Sequence, residues 1–120
     1  WKRMVFNILT SNCDDHLRNH GFILREDGWH LTPAFDLNPT IQKDAMSLNI
    51  TDNDNRKNVS HAIAVAELFR IPEENAKEIV QDMQNVIRSN WRGLASQYRI
   101  PEKDMTVMAP AFSECDRKIG

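Results

Sequence analysis

"SNCDDHLRNHGFILREDGWHLTPAFDLN", residues 11–38, sets three kinds of chain side by side: a polar cluster, two short apolar runs joined through Asp27 and Gly28, and a proline-bounded turn. The apolar runs, residues 22–24 and 29–31, predict a β-hairpin, because an Asp-Gly pair supplies the positive φ that tight hairpin turns demand. Pro33 ends the second strand and Pro39 keeps the next residues from becoming a long helix, so "AFDLN" is expected to be a short turn. When the two strands pair, the residues before the first and after the second meet at the open end of the hairpin. Asp14, Asn19 and Asp36 are thereby expected in one neighbourhood.

Outward from this stretch the pattern is helical. Residues 1–11 carry Trp1, Val5, Phe6, Ile8 and Leu9 on one side of a short helix that ends near Ser11 and Asn12. Residues 40–58 are polar, and the alternation of Met46, Leu48 and Ile50 allows either a brief strand or a mobile loop. A helix is expected over 59–69, with Val65, Leu68 and Phe69, and a long one over about 73–98. In the long helix apolar residues from Ala76 through Val80, Ile87 and Leu94 to Tyr98 recur at three- and four-residue steps, predicting one continuous buried stripe roughly 35 Å long. Pro72 and Pro101 stand at helix starts, where a missing N–H costs nothing. A last helix over about 102–118 would carry Met105, Met108, Phe112, Cys115 and Ile119. The expected fold is mainly α with a short β-hairpin near the N-terminus, one domain over residues 1–120, its helical bundle occupying 59–119.

Bulk properties narrow the setting. The chain has 120 residues, 41% of them hydrophobic and 27% charged, which suits a single globular core. A net charge of −2 gives no general electrostatic reason to bind nucleic acid or an anionic membrane. Cys13 and Cys115 lie far apart with no paired spacing, which points away from a disulfide framework or structural zinc and towards a reducing cytoplasm. No apolar run reaches the roughly 18–20 residues of a membrane span. The chain opens at Trp1, already inside a helical pattern and without an initiator Met, as a fragment of a longer protein would.

The polar cluster has chemistry to offer. Asp14, Asn19 and Asp36 present hard oxygen donors of the kind that hold Mg²⁺ against phosphates. An Asp, an Asn five residues later, and an aromatic-Asp pair beyond a hairpin is also the functional order of a protein-kinase catalytic loop and metal-binding segment. His16 and His20 are four apart, so a zinc hydrolase built on Asp14, Asp15, His16 and His20 is an alternative, although no Glu completes the helical zinc motif. His30 and His61 are expected to be structural or exposed, and Arg88, Arg92, Arg99 and Lys103 to form a solvated basic face.

Residues 14–22 and 29–37 together resemble the C-terminal part of HipA-like serine/threonine kinases, in which a D-x-H-x-K-N loop precedes a hairpin ending in a proline and an aromatic-Asp pair. The resemblance is detailed over residues 1–40, which would hold the catalytic loop, hairpin and metal-binding segment of a helical kinase C-lobe. It implies that Asp14 is the catalytic base, that Asn19 and Asp36 hold Mg²⁺, and that His16 contacts the γ-phosphate of ATP. Phe35 stands where the family often has a tyrosine, Arg18 where it often has lysine, and Asp15 adds an acid. The resemblance further implies a toxin of a toxin–antitoxin type system, acting on a protein substrate and held by a DNA-binding antitoxin partner, with its own DNA contact left open. No Gly-rich loop and no strand lysine paired with a helix glutamate can be assigned within the 120 residues, so the chain alone is expected to be inactive. A non-catalytic helical interaction module is the alternative from a different class.

Overall fold

The computed structural model describes residues 1–120. Its first helix, α1 (Lys2–Leu9), turns Val5, Ile8 and Leu9 wholly inward. The Trp1 indole N–H donates to Ala62 O at 2.7 Å and pins the start of α1 to the neighbouring helix. The helix stops without a glycine. Ser11 takes φ 53°, Asn12 N–H bonds Asn7 O at 2.8 Å and Ser11 N–H bonds Ile8 O at 3.2 Å, which is the doubly bonded left-handed helix ending.

A single 3₁₀ turn (Leu17–Asn19) leads to the hairpin of β1 (Phe22–Arg25) and β2 (Gly28–Leu31), paired antiparallel with Phe22 opposite Leu31 and Leu24 opposite Trp29. The turn residues are Glu26 and Asp27, one position earlier than the sequence predicts. Gly28, the first residue of β2, takes the positive φ at 125°, so neither turn residue needs it. Arg3 Nη2 donates to Thr32 O at 2.6 Å, tying the base of the hairpin to α1. Phe22, Leu24, Trp29 and Leu31 share one face of the hairpin, and all four are more than half exposed.

Residues 40–58 form neither a full strand nor a bare loop. An isolated bridge joins Ala45 and Arg56, Met46 N–H bonds Asn55 O at 2.7 Å, and Met46 and Ile50 reach the core. Leu48 stays out of it, so only part of the alternating pattern becomes buried structure.

The expected helix over 59–69 is two pieces, α2 (Val59–Ala64) and a 3₁₀ turn (Ala66–Phe69), and Leu68 and Phe69 are exposed instead of buried. Asn58 caps α2 by accepting from Ser60 N–H at 2.9 Å. The long helix is present as α3 (Glu73–Gln97), but its stripe is buried only at Ala76, Val80, Gln84 and Ile87. Val86, Leu94 and Tyr98 are 62%, 51% and 77% exposed, so the second half of the predicted stripe lines an open apolar groove with Leu37 and Pro39. The last helix is shorter than expected: α4 (Glu102–Met108) tightens into a 3₁₀ stretch (Ala109–Asp116) where Pro110 removes an N–H from the α ladder.

Phe112 on that stretch stacks on Trp91 with ring centroids 4.5 Å apart, and Cys115 packs against α1 with its Sγ 3.4 Å from Leu9 O. The core thus gathers α1, α2, the first half of α3 and the final 3₁₀ stretch into one apolar cluster. No helix is long and apolar enough to cross a membrane.

Candidate active site

The polar cluster emerges from the end of α1, and backbone bonds hold it against later chain. Thr40 N–H bonds Ser11 O at 3.0 Å, while Ser47 donates both its N–H and its hydroxyl to Cys13 O at 2.9 Å. Lys57 Nζ donates to Ser11 Oγ at 2.9 Å. The loop is therefore fixed from three directions, and Asp14 projects from it into solvent.

Asp14 is the most engaged of the expected site residues. Lys43 Nζ lies 3.1 Å from its Oδ1, and His16 Nε2 approaches the same oxygen at 3.1 Å. Hydrogen bonding and charge from Lys43, with a smaller contribution from His16, hold the Asp14 carboxyl below its ordinary range. Asn19 is joined to the same residue by a different atom: its Nδ2 donates to Asp14 O at 3.2 Å, which leaves Asn19 Oδ1 without a protein partner. Asp14, His16 and Asn19 are thus brought together.

Asp36 and Phe35 come from the other side of the hairpin. Phe35 is 47% exposed, and Asp36 sits in the left-handed region at φ 55°. Asn38 Nδ2 donates to Asp36 Oδ1 at 2.8 Å. No hydrogen bond or ion pair joins Asp36 directly to Asp14, His16 or Asn19; the link runs through Asn38, whose backbone N–H donates to Asn12 Oδ1 at 3.2 Å. Asp36 and Asn19 each keep an oxygen free of protein donors; Asp36 is exposed and Asn19 half-buried. Carboxylate and amide oxygens without protein donors are the hard donor type that suits Mg²⁺, which retains waters and takes few protein ligands.

Asp15, the acid beside Asp14, is buried. Asn7 Nδ2 donates to its Oδ2 at 2.8 Å, and His20 Nε2 meets its Oδ1 at 2.7 Å. Asn12 Nδ2 donates in turn to Asn7 Oδ1 at 3.0 Å. Asp15 and His20 thus belong to a buried polar chain beneath the loop, while His16 faces Asp14. The four-residue spacing of the two imidazoles falls on a 3₁₀ turn and does not align them, and no three His, Cys, Asp or Glu side chains converge as a zinc site would require.

Sequence reasoning missed Lys43, which lies in a stretch with no motif of its own, and Asn38, which closes the "AFDLN" turn two residues after Asp36. Asn7 carried a legible signal: a carboxamide within the apolar face of a short helix needs a buried partner. His30 is half-buried, 2.8 Å from Asp27, and His61 is 3.7 Å from Asp54. The basic face is solvated as expected, with Arg88 paired to Asp116 and Arg92 lying over the Trp91 ring at 4.4 Å.

A family model described as HipA-like C-terminal domain matches residues 1–91. That span contains the loop, the hairpin, Lys43 and α3 as far as Trp91. No curated protein and no solved structure matches the chain.

Proposed function

The chain belongs to the HipA-like C-terminal domain family, and from that membership we propose that it supplies the catalytic loop and metal-binding segment of an ATP-dependent serine/threonine protein kinase. The observation that carries the proposal is the exposed Asp14 carboxylate, kept ionised by Lys43 and tied through its own backbone carbonyl to the Asn19 amide. A base and a metal ligand held by one loop meet what phosphoryl transfer asks of a protein, which is alignment and charge neutralisation more than covalent chemistry.

In this mechanism Asp14 accepts the proton of the acceptor hydroxyl through Oδ2, since Lys43 and His16 both lie on Oδ1. The acceptor oxygen forms a bond to the γ-phosphorus, the bond from that phosphorus to the bridging oxygen breaks, and ADP leaves with the electron pair. His16 turns its second ring nitrogen to the γ-phosphate. Mg²⁺, which Asn19 Oδ1 and Asp36 would hold, supplies positive charge against the phosphate oxygens. Phe35 precedes Asp36 without a phenolic hydroxyl, so it contributes packing only. Phosphate-covering and lysine-bearing elements of the parent protein complete the nucleotide site. The setting proposed is cytoplasmic, with a protein acceptor and a DNA-binding antitoxin as partner in a toxin–antitoxin type system.

The test is transfer from γ-labelled ATP by the parent protein and by its Asp14→Asn variant. Transfer by the wild type alone, with ATP affinity retained in the variant, is the expected result. Wild-type turnover in Asp14→Asn removes the base assignment. A folded wild type that transfers nothing with Mg²⁺ present favours the helical interaction module, whose open surface is the apolar groove along α3.

A further inference from the structure

Asn7 is a costly residue where it stands. It lies in the interior of α1 and is 1% exposed, although asparagine is a weak helix former and a buried carboxamide needs every partner it can find. Leucine there would add apolar area to the core. Each end of the Asn7 amide is nevertheless used, one on Asp15 and one on Asn12.

Followed in both directions, those bonds lead to the proposed catalytic groups. On one side Asp15 adjoins Asp14 in the chain, and its other oxygen holds His20, which adjoins Asn19. On the other side Asn12 Oδ1 accepts the Asn38 N–H, and the Asn38 side chain holds Asp36 Oδ1. Asn7 and Asn12, 1% and 2% exposed, therefore form the buried middle of a hydrogen-bonded path between Asp15, next to Asp14, and Asp36, which share no direct polar contact. Each bond in the path also fixes the donor and acceptor sense of the next, because an amide offers its oxygen and nitrogen at opposite corners.

We propose that Asn7 and Asn12 are positioning residues that set the separation between the Asp14–Asn19 loop and the Asp36 segment; the inference rests on the phosphotransfer role proposed above. Misplacement of a metal ligand by even about 1 Å is enough to cost up to roughly a hundredfold in rate.

The path makes an exchange test available. Asn7→Asp sets a second carboxylate against Asp15 and breaks the link by repulsion. Combining Asn7→Asp with Asp15→Asn restores a donor facing an acceptor at that contact, leaves the acceptor for Asn12 Nδ2 in place, and still offers an oxygen to His20. In the parent protein, Asn7→Asp is expected to lower kcat by about ten- to a hundredfold and to raise the Mg²⁺ concentration for half-maximal rate, and the exchange to recover most of both. A purely structural amide would move the melting temperature and leave the Mg²⁺ dependence alone. Recovery of thermal stability without recovery of kcat or Mg²⁺ dependence in the exchange overturns the proposal, as does wild-type behaviour of a folded Asn7→Asp.

Should Asn7→Asp fail to fold, the exposed Asn38→Ala keeps its backbone N–H and loses only the bond to Asp36. A raised Mg²⁺ requirement supports the path and an unchanged one sinks it. Hydrogen exchange of the Asn38 amide supplies a readout free of activity: protection lost in Asn7→Asp and regained in the exchange upholds the mechanical link even where the wild type transfers no phosphate, an outcome that removes the phosphotransfer role alone. An Asn38 amide indifferent to both changes removes the link itself.

Discussion

Lys43 Nζ lies 3.1 Å from Asp14 Oδ1, an ion pair that closes across 29 positions of chain. The cation favours the carboxylate, so the Asp14 carboxyl titrates below its ordinary range. Its stabilising contribution is present above the unfolded-state value and is lost as pH falls through the lowered folded-state value. Lys43→Met removes the leading cause, and the Asp14 midpoint should move up towards an ordinary carboxylate. Carboxyl-carbon NMR of Asp14 in both proteins measures this; an unmoved midpoint would detach Lys43 from the titration of Asp14.

Asp36→Asn keeps the shape of the side chain and the acceptor for Asn38 Nδ2 while removing a charge. Mg²⁺-dependent ATP binding by the parent protein should weaken about tenfold or more, with Mg²⁺-independent binding little changed. Equal Mg²⁺–ATP affinity in the two proteins would take Asp36 out of the metal site.

Glu114 is buried at the seam between the last 3₁₀ stretch and α2, where its Oε2 accepts the Val59 N–H at 3.1 Å and its two oxygens bind Arg117. Glu114→Ala leaves a backbone donor orphaned at the start of α2 and should cost about 1–3 kcal/mol in denaturant unfolding. A change within error would place water or another acceptor at Val59.

Two apolar truncations separate core from open surface. Ile8→Ala empties a wholly buried site and should cost about 2–5 kcal/mol. Leu94→Ser, in the groove along α3, should cost no more than about 0.5 kcal/mol in this chain. A large loss at Leu94 would mean that the groove is closed in solution.

Cys115 is buried against α1, and burial pushes its thiol up to about 11. At pH 8 only about one molecule in a thousand carries the thiolate there, so a thiol reagent should label the native chain slowly and the unfolded chain at once. Fast native labelling would show that the α1 seam opens readily.

The hairpin and the helical ending of the chain were legible because their signals are local: alternation, Asp-Gly, and apolar steps of three and four. The ends of the first helix, of the 59–69 stretch and of the long helix fall within a residue or two of where the apolar pattern stops, although Ser11, Arg70 and Arg99 there take the left-handed conformation that glycine usually marks, at φ 53°, 60° and 60°. The second half of α3 looked buried because its periodicity is that of a core helix. Periodicity reports an apolar face and does not say whether this chain covers it, and here Leu94 and Tyr98 stay open. Within the site, Asp14, His16 and Asn19 lie in one turn of chain and could be grouped by spacing. Lys43 arrives by tertiary folding through a stretch with no regular structure, which no local pattern anticipates, and so does the bond from the Asn38 backbone to Asn12.

The backbone at Asp36, at φ 55°, restricts how this domain can change over generations. Only glycine, asparagine and aspartate occupy that conformation cheaply, whereas most side chains add about 1 kcal/mol or more of strain. If Asp36 holds the proposed metal, a gene copy released from that role drifts most easily to asparagine or glycine at position 36, keeping its fold while losing the charge. On the proposed metal role, sister genes bearing either residue there would be marked as retired from phosphotransfer before any of them is expressed.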